Sequence, residues 1–239
     1  MLAVTIGKEA YDDYKRHQRD VVANSAQYFV LDASARSSEL LAHSHHAATE
    51  ATPLHIDAPM RSTPSSKLRV GDLVLIEKNQ RVPADCLLLR TTDSSGTTFV
   101  RTDQLDGETD WKLRVAVGPT QTAPGGDAVL LQLEGDVVAE APSKDIHSFV
   151  GTITLRGGGG VLEGDEPVVP ASTVVSLTAE NMLWANTVLA AGQAVGLVVY
   201  TGRETRAVMN TSHPETKVGL LDLEINSLAK VRQPAQCSR

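Results

Sequence analysis

Four acidic side chains lie close together in one short segment, and they are the densest group of chemically capable residues in the sequence. Asp103, Asp106, Glu108 and Asp110 fall within eight residues, with Gly107 among them. Carboxylates crowded in this way repel one another, and a carboxylate at a loop tip can orient or deprotonate a water molecule. Glycine lets the backbone approach another surface closely. In a functional loop, Glu108 would project from the tip and would be able to orient or deprotonate a water.

The same residues are compatible with a simpler interpretation. Asp-Gly is a common turn dipeptide in β-hairpins, so residues 106–107 could form an ordinary acidic turn. Functional side chains concentrate in loops that a rigid scaffold carries. The residue types alone leave both interpretations open.

The segments that must position this loop have the composition of β-strands. We predict strands at 73–76, 86–90, 97–105, 111–117, 128–133, 149–155, 173–177 and 194–200. Turns rich in glycine or proline separate them, as in residues 80–85. Many short strands joined by such turns predict a mainly β fold, either a sandwich or a jelly-roll-like core. A short helix is expected at 204–210, and an amphipathic helix at 220–230.

The N-terminal part of the chain differs from this β region. Residues 8–22 are polar and predict a helix, in which Lys8 and Asp12 form an i,i+4 pair. Residues 33–66 are dominated by Ser, Ala, His, Thr and Pro, and we interpret them as a low-complexity insertion. His43, His45 and His46 lie there, but no carboxylate or cysteine stands at ligand spacing to complete a coordination shell.

Composition excludes several classes of protein. Lys and Arg number 22 against 29 Asp and Glu, which gives a net charge of −7 and no basic stripe for a nucleic-acid partner. Cys86 and Cys237 are far apart and form no CxxC pair, which favours a reducing compartment. No stretch approaches the roughly 18 consecutive apolar residues of a membrane helix.

The loop resembles one family of pumps. Asp106-Gly107-Glu108-Thr109 is similar to the dephosphorylation loop in the actuator domain of P-type ATPases, in the form found in the phospholipid flippase branch (type IV). Val70-Gly71-Asp72 and Val82-Pro83-Ala84-Asp85 resemble two strand-turn signatures of the family. Five further segments resemble the Neo1 branch of Golgi and endosomal flippases: residues 77–81, 101–105, 110–113, 145–152 and 221–228. The resemblance covers roughly residues 4–32 and 67–231.

This resemblance implies a fold and a division of the chain. The fold is a mainly β actuator domain, a distorted jelly-roll or β-sandwich with flanking helices at both ends. Residues 1–32 would be a linker helix from the second membrane helix, and 33–66 the insertion. Residues 67–215 would be the actuator β domain. Residues 216–239 would be a linker helix toward the third membrane helix, ending in an aberrant tail.

The resemblance also implies a function. In the family, the loop glutamate positions the water that hydrolyses an aspartyl-phosphate formed in another domain. Glu108 would take this role, Asp106 and Thr109 would hold the loop's shape, and Gly107 would permit close approach. The implied partners are the phosphorylation and nucleotide-binding domains and membrane helices of the same pump, and phospholipid through the full-length protein.

The implied cofactors are Mg²⁺ and ATP in the full-length enzyme and none in this chain. The implied location is the cytosolic face of Golgi or endosomal membranes, with the isolated fragment soluble. The sequence contains no Asp-Lys-Thr-Gly-Thr phosphorylation signature. We therefore expect the isolated chain neither to hydrolyse ATP nor to move lipid.

Two further interpretations stay open. The chain could be a stand-alone interaction module that binds a protein partner through its acidic loop without catalysis. It could also be a metal-binding protein that uses His43, His45 and His46.

Zinc titration tests the last interpretation. Because the three histidines lack further ligands of the usual structural type, we expect only weak binding in isothermal titration calorimetry. Tight binding at one ion per chain would contradict this expectation.

Overall fold

The computed structural model describes residues 2–32, 59–124, 127–156, 172–211 and 224. Within these ranges the chain forms twelve β-strands and three α-helices. The helices are α1 (Leu2–Asn24), α2 (Gly118–Gln121) and α3 (Arg206–Met209). The strands are β1 (Gln27–Leu31), β2 (Met60–Pro64), β3 (Leu73–Ile76), β4 (Asp85–Thr91), β5 (Thr97–Arg101), β6 (Trp111–Val115), β7 (Glu134–Ala139), β8 (Gly151–Arg156), β9 (Ser172–Leu177), β10 (Met182–Leu183), β11 (Val188–Leu189) and β12 (Ala194–Tyr200).

The strands form three antiparallel sheets. The largest has six strands in the order β10-β4-β12-β3-β1-β2. A second sheet has the order β11-β5-β6, and a third has the order β7-β8-β9. The prediction of a mainly β fold of the sandwich type is confirmed.

Strand β4 is buried along its whole length and separates two hydrophobic cores. Successive side chains of a strand point to opposite faces. Cys86 and Leu88 accordingly lie in one core with Val100 of the second sheet. Leu87 and Leu89 lie in the other core, against side chains of the third sheet. The apolar run at 86–89 is therefore explained by a strand that is covered on both faces.

A buried ionic cluster ties the C-terminal end of the β region to this scaffold. The Asp85 carboxylate is fully buried and accepts hydrogen bonds from the Ala185 amide at 2.8 Å and the Arg206 amide at 2.9 Å. Burial raises the pKa of Asp85, and the two amide hydrogen bonds oppose that rise. The Arg206 guanidinium lies 4.0 Å from the centre of the Trp184 ring and donates to Glu140 at 2.6 Å. The chain after β12 is thereby fixed to the segment before β8.

The predicted insertion at 33–66 is wrong at its C-terminal end. Residues 60–64 form β2, which pairs with β1 at the edge of the six-stranded sheet, from Gln27 opposite Pro64 to Leu31 opposite Met60. An edge strand tolerates proline and polar side chains because backbone pairing holds it in the sheet. The residue types at 60–64 therefore do not indicate a strand. The β region therefore begins at β1, inside the predicted linker 1–32. Residues 33–58, including His43, lie outside the described residues.

The predicted strand at 128–133 is also wrong. Residues 127–131 form a 3-10 turn, and strand β7 begins only at Glu134. Leu130 is buried in a small core with Leu31, Leu75 and Val195. Short apolar runs do not distinguish a strand from a buried turn.

The helix predicted at 8–22 is confirmed by α1, which extends from Leu2 to Asn24. The predicted short helix at 204–210 is present as a 3-10 turn at Gly202–Glu204 followed by α3. Of the predicted helix at 220–230, only Glu224 is described, and it is helical. Among the described residues, no helix combines the length and the hydropathy that crossing a bilayer requires.

The two-sided burial of β4 predicts a large effect of truncating its side chains. Leu88→Ala should lower the free energy of unfolding by about 2–5 kcal/mol, since Leu88 is fully buried. The matched control is Val138→Ala on β7, where the side chain is 66% exposed; its effect should stay below about 1 kcal/mol. Urea titration measures both values, and equal effects would contradict the assignment of β4 to the core.

Candidate functional site

The acidic segment is the loop of a hairpin formed by β5 and β6. Arg101 pairs with Trp111 at the base of the loop. The amides of Leu105 and Asp106 both donate to the Thr102 carbonyl, at 2.8 and 3.0 Å. This turn ends β5 at Arg101, so the strand predicted at 97–105 is shorter than expected.

Asp106 holds the conformation of the loop. One oxygen of its carboxylate accepts a 2.9 Å hydrogen bond from the Glu108 amide, and the other accepts a 2.7 Å bond from Lys112 Nζ. Its side chain is only 8% exposed. Burial opposes ionisation, but the hydrogen bonds from Lys112 and the Glu108 amide outweigh it and hold the pKa of Asp106 below its ordinary value. The predicted structural role of Asp106 therefore has a defined geometry.

Lys112 bridges two carboxylates. Besides its bond to Asp106, Nζ lies 2.8 Å from Glu108 Oε2. Hydrogen bonds to Asp106 and then to Glu108 raise the pKa of Lys112 above its ordinary value, against a smaller opposing effect of burial. Lys112 is therefore a cation that neutralises part of the charge of the loop.

Glu108 lies at the tip of the loop, and its side chain is 56% exposed. One carboxylate oxygen, Oε2, is held by Lys112. The other oxygen has no hydrogen-bond partner in the described part of the chain. A carboxylate placed in this way can accept a hydrogen bond from a water that another surface presents.

Gly107 and Thr109 flank this carboxylate. Gly107 has φ +77°, in the left-handed region, and a Cβ built there would meet nothing within 4 Å. The position therefore needs glycine for its backbone conformation, and the space around it is open. Thr109 is exposed, and its side chain makes no hydrogen bond to the described residues. The roles predicted for Gly107, Thr109 and Glu108 in catalysis stay predictions.

A second cation lies beneath the loop. Arg114 is buried, and its only hydrogen bond to the described chain goes to the Leu113 carbonyl at 3.3 Å. Burial lowers the pKa of Arg114, and the charges of Glu180 and Asp106 oppose that shift. A cavity of about 140 Å³ lies beside it, lined by residues that include Asp106, Lys112 and Glu180. The positive charge of Arg114 offsets part of the acidity above it.

Sequence reasoning did not assign a role to Lys112 or Arg114. Both belong to β6, two residues apart, so they share a face of the strand. Trp111 and Leu113 occupy the opposite face and are exposed. Basic and apolar side chains thus alternate along β6, next to carboxylates that need counterions. This sequence pattern predicts that both cations face the acidic loop.

The other two acidic residues of the segment do not join the cluster. Asp103 and Asp110 are exposed, and the carboxylates that converge on Lys112 are those of Asp106 and Glu108. Among the described residues there is no group of three or more His, Cys, Asp or Glu side chains that could hold a metal ion. His43, His45 and His46 lie outside that part of the chain.

The structure thus places a glycine-containing acidic hairpin loop on a scaffold of antiparallel sheets. The family model for the P-type ATPase actuator domain matches residues 46–211. The chain belongs to the P-type ATPase actuator-domain family.

The individual relatives of this chain belong to one group within the family, the phospholipid-transporting ATPases. The chain is 47% identical to "Probable phospholipid-transporting ATPase tat-5" of Caenorhabditis elegans, over 97% of the chain and 18% of the relative. It is 45% identical to "Probable phospholipid-transporting ATPase IIB" of Homo sapiens, over 96% of the chain and 17% of the relative. It is 40% identical to "Phospholipid-transporting ATPase NEO1" of Saccharomyces cerevisiae, over 97% of the chain and 16% of the relative.

The resemblance to an actuator domain of the Neo1-like flippase branch is thus confirmed. The chain spans less than a fifth of the length of these curated relatives. The activity, substrates and partners of a whole pump are therefore matters for a proposal.

The geometry of Asp106 predicts how the loop responds to mutation. Asp106→Ala removes the acceptor of the Glu108 amide and one partner of Lys112. Hydrogen bonds to a charged group contribute about 1.5–3 kcal/mol, so hydrogen exchange at the Glu108 amide should accelerate by about tenfold or more. Asp110→Ala, in the same loop, is the matched control and should leave that rate unchanged.

Acidification should reproduce this effect without a mutation. Because the pKa of Asp106 is lowered in the folded chain, its contribution is fully present above the ordinary value of about 3.9. It is lost as the pH falls through the lowered pKa. Loss of Glu108 amide protection at neutral pH would contradict the ionised Asp106 described above.

Proposed function

We propose that this domain positions the water that hydrolyses an aspartyl-phosphate in a phospholipid-transporting P-type ATPase, and that it couples this step to lipid movement. The observation that carries the proposal is the placement of Glu108. Its carboxylate is exposed at a hairpin tip, on a loop that the largely buried Asp106 holds in shape.

The chemistry suits a domain that carries few reactive groups. Phosphoryl transfer depends mainly on positioning and on electrostatic stabilisation, because the reacting bond belongs to the phosphorylated partner. The hydrolytic water must lie in line with the acyl-phosphate bond. The unpartnered oxygen of Glu108 would accept a hydrogen bond from this water, and would accept its proton as the water oxygen bonds to phosphorus. The acyl-phosphate P–O bond would break in the same step, which returns the partner's aspartate as a carboxylate and releases inorganic phosphate.

The neighbouring loop residues would make the approach possible. The open space around Gly107 would allow the backbone to come close to the phosphorylated domain. Asp106 would keep the Glu108 amide fixed through its 2.9 Å hydrogen bond. We retain Thr109 as an exposed loop residue that would face the partner domain.

Coupling to the membrane would pass through the ends of the domain. The side chains of helix α1 that the structure describes between residues 6 and 24 are exposed, and the helix meets the β region near the turn at Ser65–Lys67. A polar helix that projects from a rigid scaffold suits a lever between domains. The ionic cluster of Asp85 and Arg206 would give the opposite end of the domain a rigid attachment.

The identity of the transported molecule is proposed from the relatives. Their names describe phospholipid-transporting ATPases, and we propose phospholipid as the cargo of the full-length version of this protein. The phosphorylation and nucleotide-binding domains and the membrane helices of the same pump would be its partners. We place the pump at Golgi or endosomal membranes, with this domain on the cytosolic face.

Mg²⁺ and ATP belong to the proposal only for the full-length enzyme. Among the described residues, no three His, Cys, Asp or Glu side chains converge on one point. The steps derived above therefore use only the side chains of this chain.

A second candidate function rests on a different surface. Phe99, Trp111 and Leu113 form an exposed apolar face on the hairpin that carries the loop, and the rings of Phe99 and Trp111 lie 6.2 Å apart. Such a face is typical of a protein contact. An interaction module without catalysis would use it together with the acidic loop.

Glu108→Gln in a full-length pump that carries this domain distinguishes the two functions. Glutamine keeps the size of the side chain but cannot accept the proton, so dephosphorylation should slow by about 10²-fold or more. The phosphoenzyme formed from radiolabelled ATP should accumulate. Asp110→Asn is the matched control, because Asp110 is an exposed acid of the same loop, and it should dephosphorylate normally.

Normal dephosphorylation in the Glu108→Gln pump would remove the proposed catalytic role. If that variant instead lost a protein partner, the interaction module would be favoured.

A further inference from the structure

Lys112 makes two ion pairs whose surroundings differ. Its bond to Asp106 joins a side chain that is 8% exposed, whereas its bond to Glu108 joins one that is 56% exposed. The two distances are similar, at 2.7 and 2.8 Å. One end of the bridge is therefore anchored in the protein, and the other end reaches the tip of the loop.

We propose that Lys112 is a positioning residue for the Glu108 carboxylate. It holds Oε2 and thereby directs the remaining oxygen outward, toward the place where the hydrolytic water would lie. This inference rests on the proposed function of Glu108 and adds a second residue to that site.

The first argument is conformational. A glutamate at a loop tip samples several rotamers, and fixing it costs side-chain entropy of about 1–2 kcal/mol. The bond to Lys112 restricts this motion before the partner domain arrives. The restriction is effective only because Lys112 is itself fixed by Asp106, whose second oxygen is held by the Glu108 amide.

The second argument is electrostatic. A loop with four carboxylates approaches an anionic phosphoryl group, and like charges repel at short range. Lys112 lies beside two of these carboxylates. Its charge lowers the repulsion at the carboxylate that must come nearest to the phosphate.

No other cation near the described loop has this geometry. Arg114 is buried, and its hydrogen bond goes to the Leu113 carbonyl. Arg101 is exposed at the base of the hairpin, opposite Trp111. The ion pair with Glu108 in the described part of the chain is made by Lys112.

The test measures phosphoenzyme decay in a full-length pump that carries this domain. Lys112→Gln should slow decay by about ten- to a hundredfold, the usual cost of misplacing a reacting group, and should leave phosphoenzyme formation unchanged. Lys112→Arg keeps the charge and several donors, and should restore decay to within about threefold of the unmodified pump. Lys78→Gln is the matched control, because Lys78 is exposed outside the loop, and it should decay normally.

A double mutant separates positioning from a general structural effect. If Lys112 acts through Glu108, then Lys112→Gln added to Glu108→Gln should slow decay by less than about twofold further, because the two effects are not additive. A full additional effect in that background would overturn the inference. Normal decay in Lys112→Gln alone would also overturn it.

The remaining outcomes are equally informative. If Glu108→Gln decays normally, the proposed function itself fails. If Glu108→Gln is slow and Lys112→Gln is normal, only the role of Lys112 fails. If Lys112→Gln forms no phosphoenzyme, Lys112→Met replaces it in the test. Methionine keeps the apolar stem without the charge, and the same decay rates decide the outcome.

Discussion

The structure depends on one strand that is buried on both faces. Side chains of β4 alternate between two cores, so Leu88 packs toward the second sheet and Leu87 toward the third. Burial of this kind stabilises by roughly 25 cal/mol for each Å² of apolar surface, and it joins the three sheets to one another. The hairpin of β5 and β6 is attached to this stack through Val100. A rigid layer thus lies directly behind the acidic loop.

The loop itself combines a fixed base with an exposed tip. Asp106 uses both carboxylate oxygens within the chain, and Lys112 links it to Glu108. A carboxylate that accepts hydrogen bonds from both a backbone amide and a cation resists rearrangement, because its movement leaves both donors without a partner. Glu108 makes one such bond, and its side chain is 56% exposed. This division of roles among Asp106, Glu108 and Lys112 supports the proposed action on a group that another domain carries.

Much of the architecture could be predicted from the sequence, and the failures have physical causes. The strands at 73–76, 86–90 and 194–200 have apolar residues in continuous runs, since the sheet buries both faces there. Strand β2 was missed because an edge strand is held by its backbone and buries few side chains. The turn at 127–131 has the composition of a buried strand, because its apolar residues fill a core. A short apolar run does not distinguish the two structures.

The sequence by itself determined the fold class, the family and the position of the loop, because strand periodicity and the Asp-Gly-Glu-Thr motif are local features. The tertiary structure decided which charges meet. Lys112 pairs with Asp106 and Glu108 only once the hairpin closes, and the Arg206 guanidinium pairs with Glu140 across 66 positions of the chain. Ion pairing depends on distances of a few ångströms and on burial, and neither quantity is encoded in a local pattern.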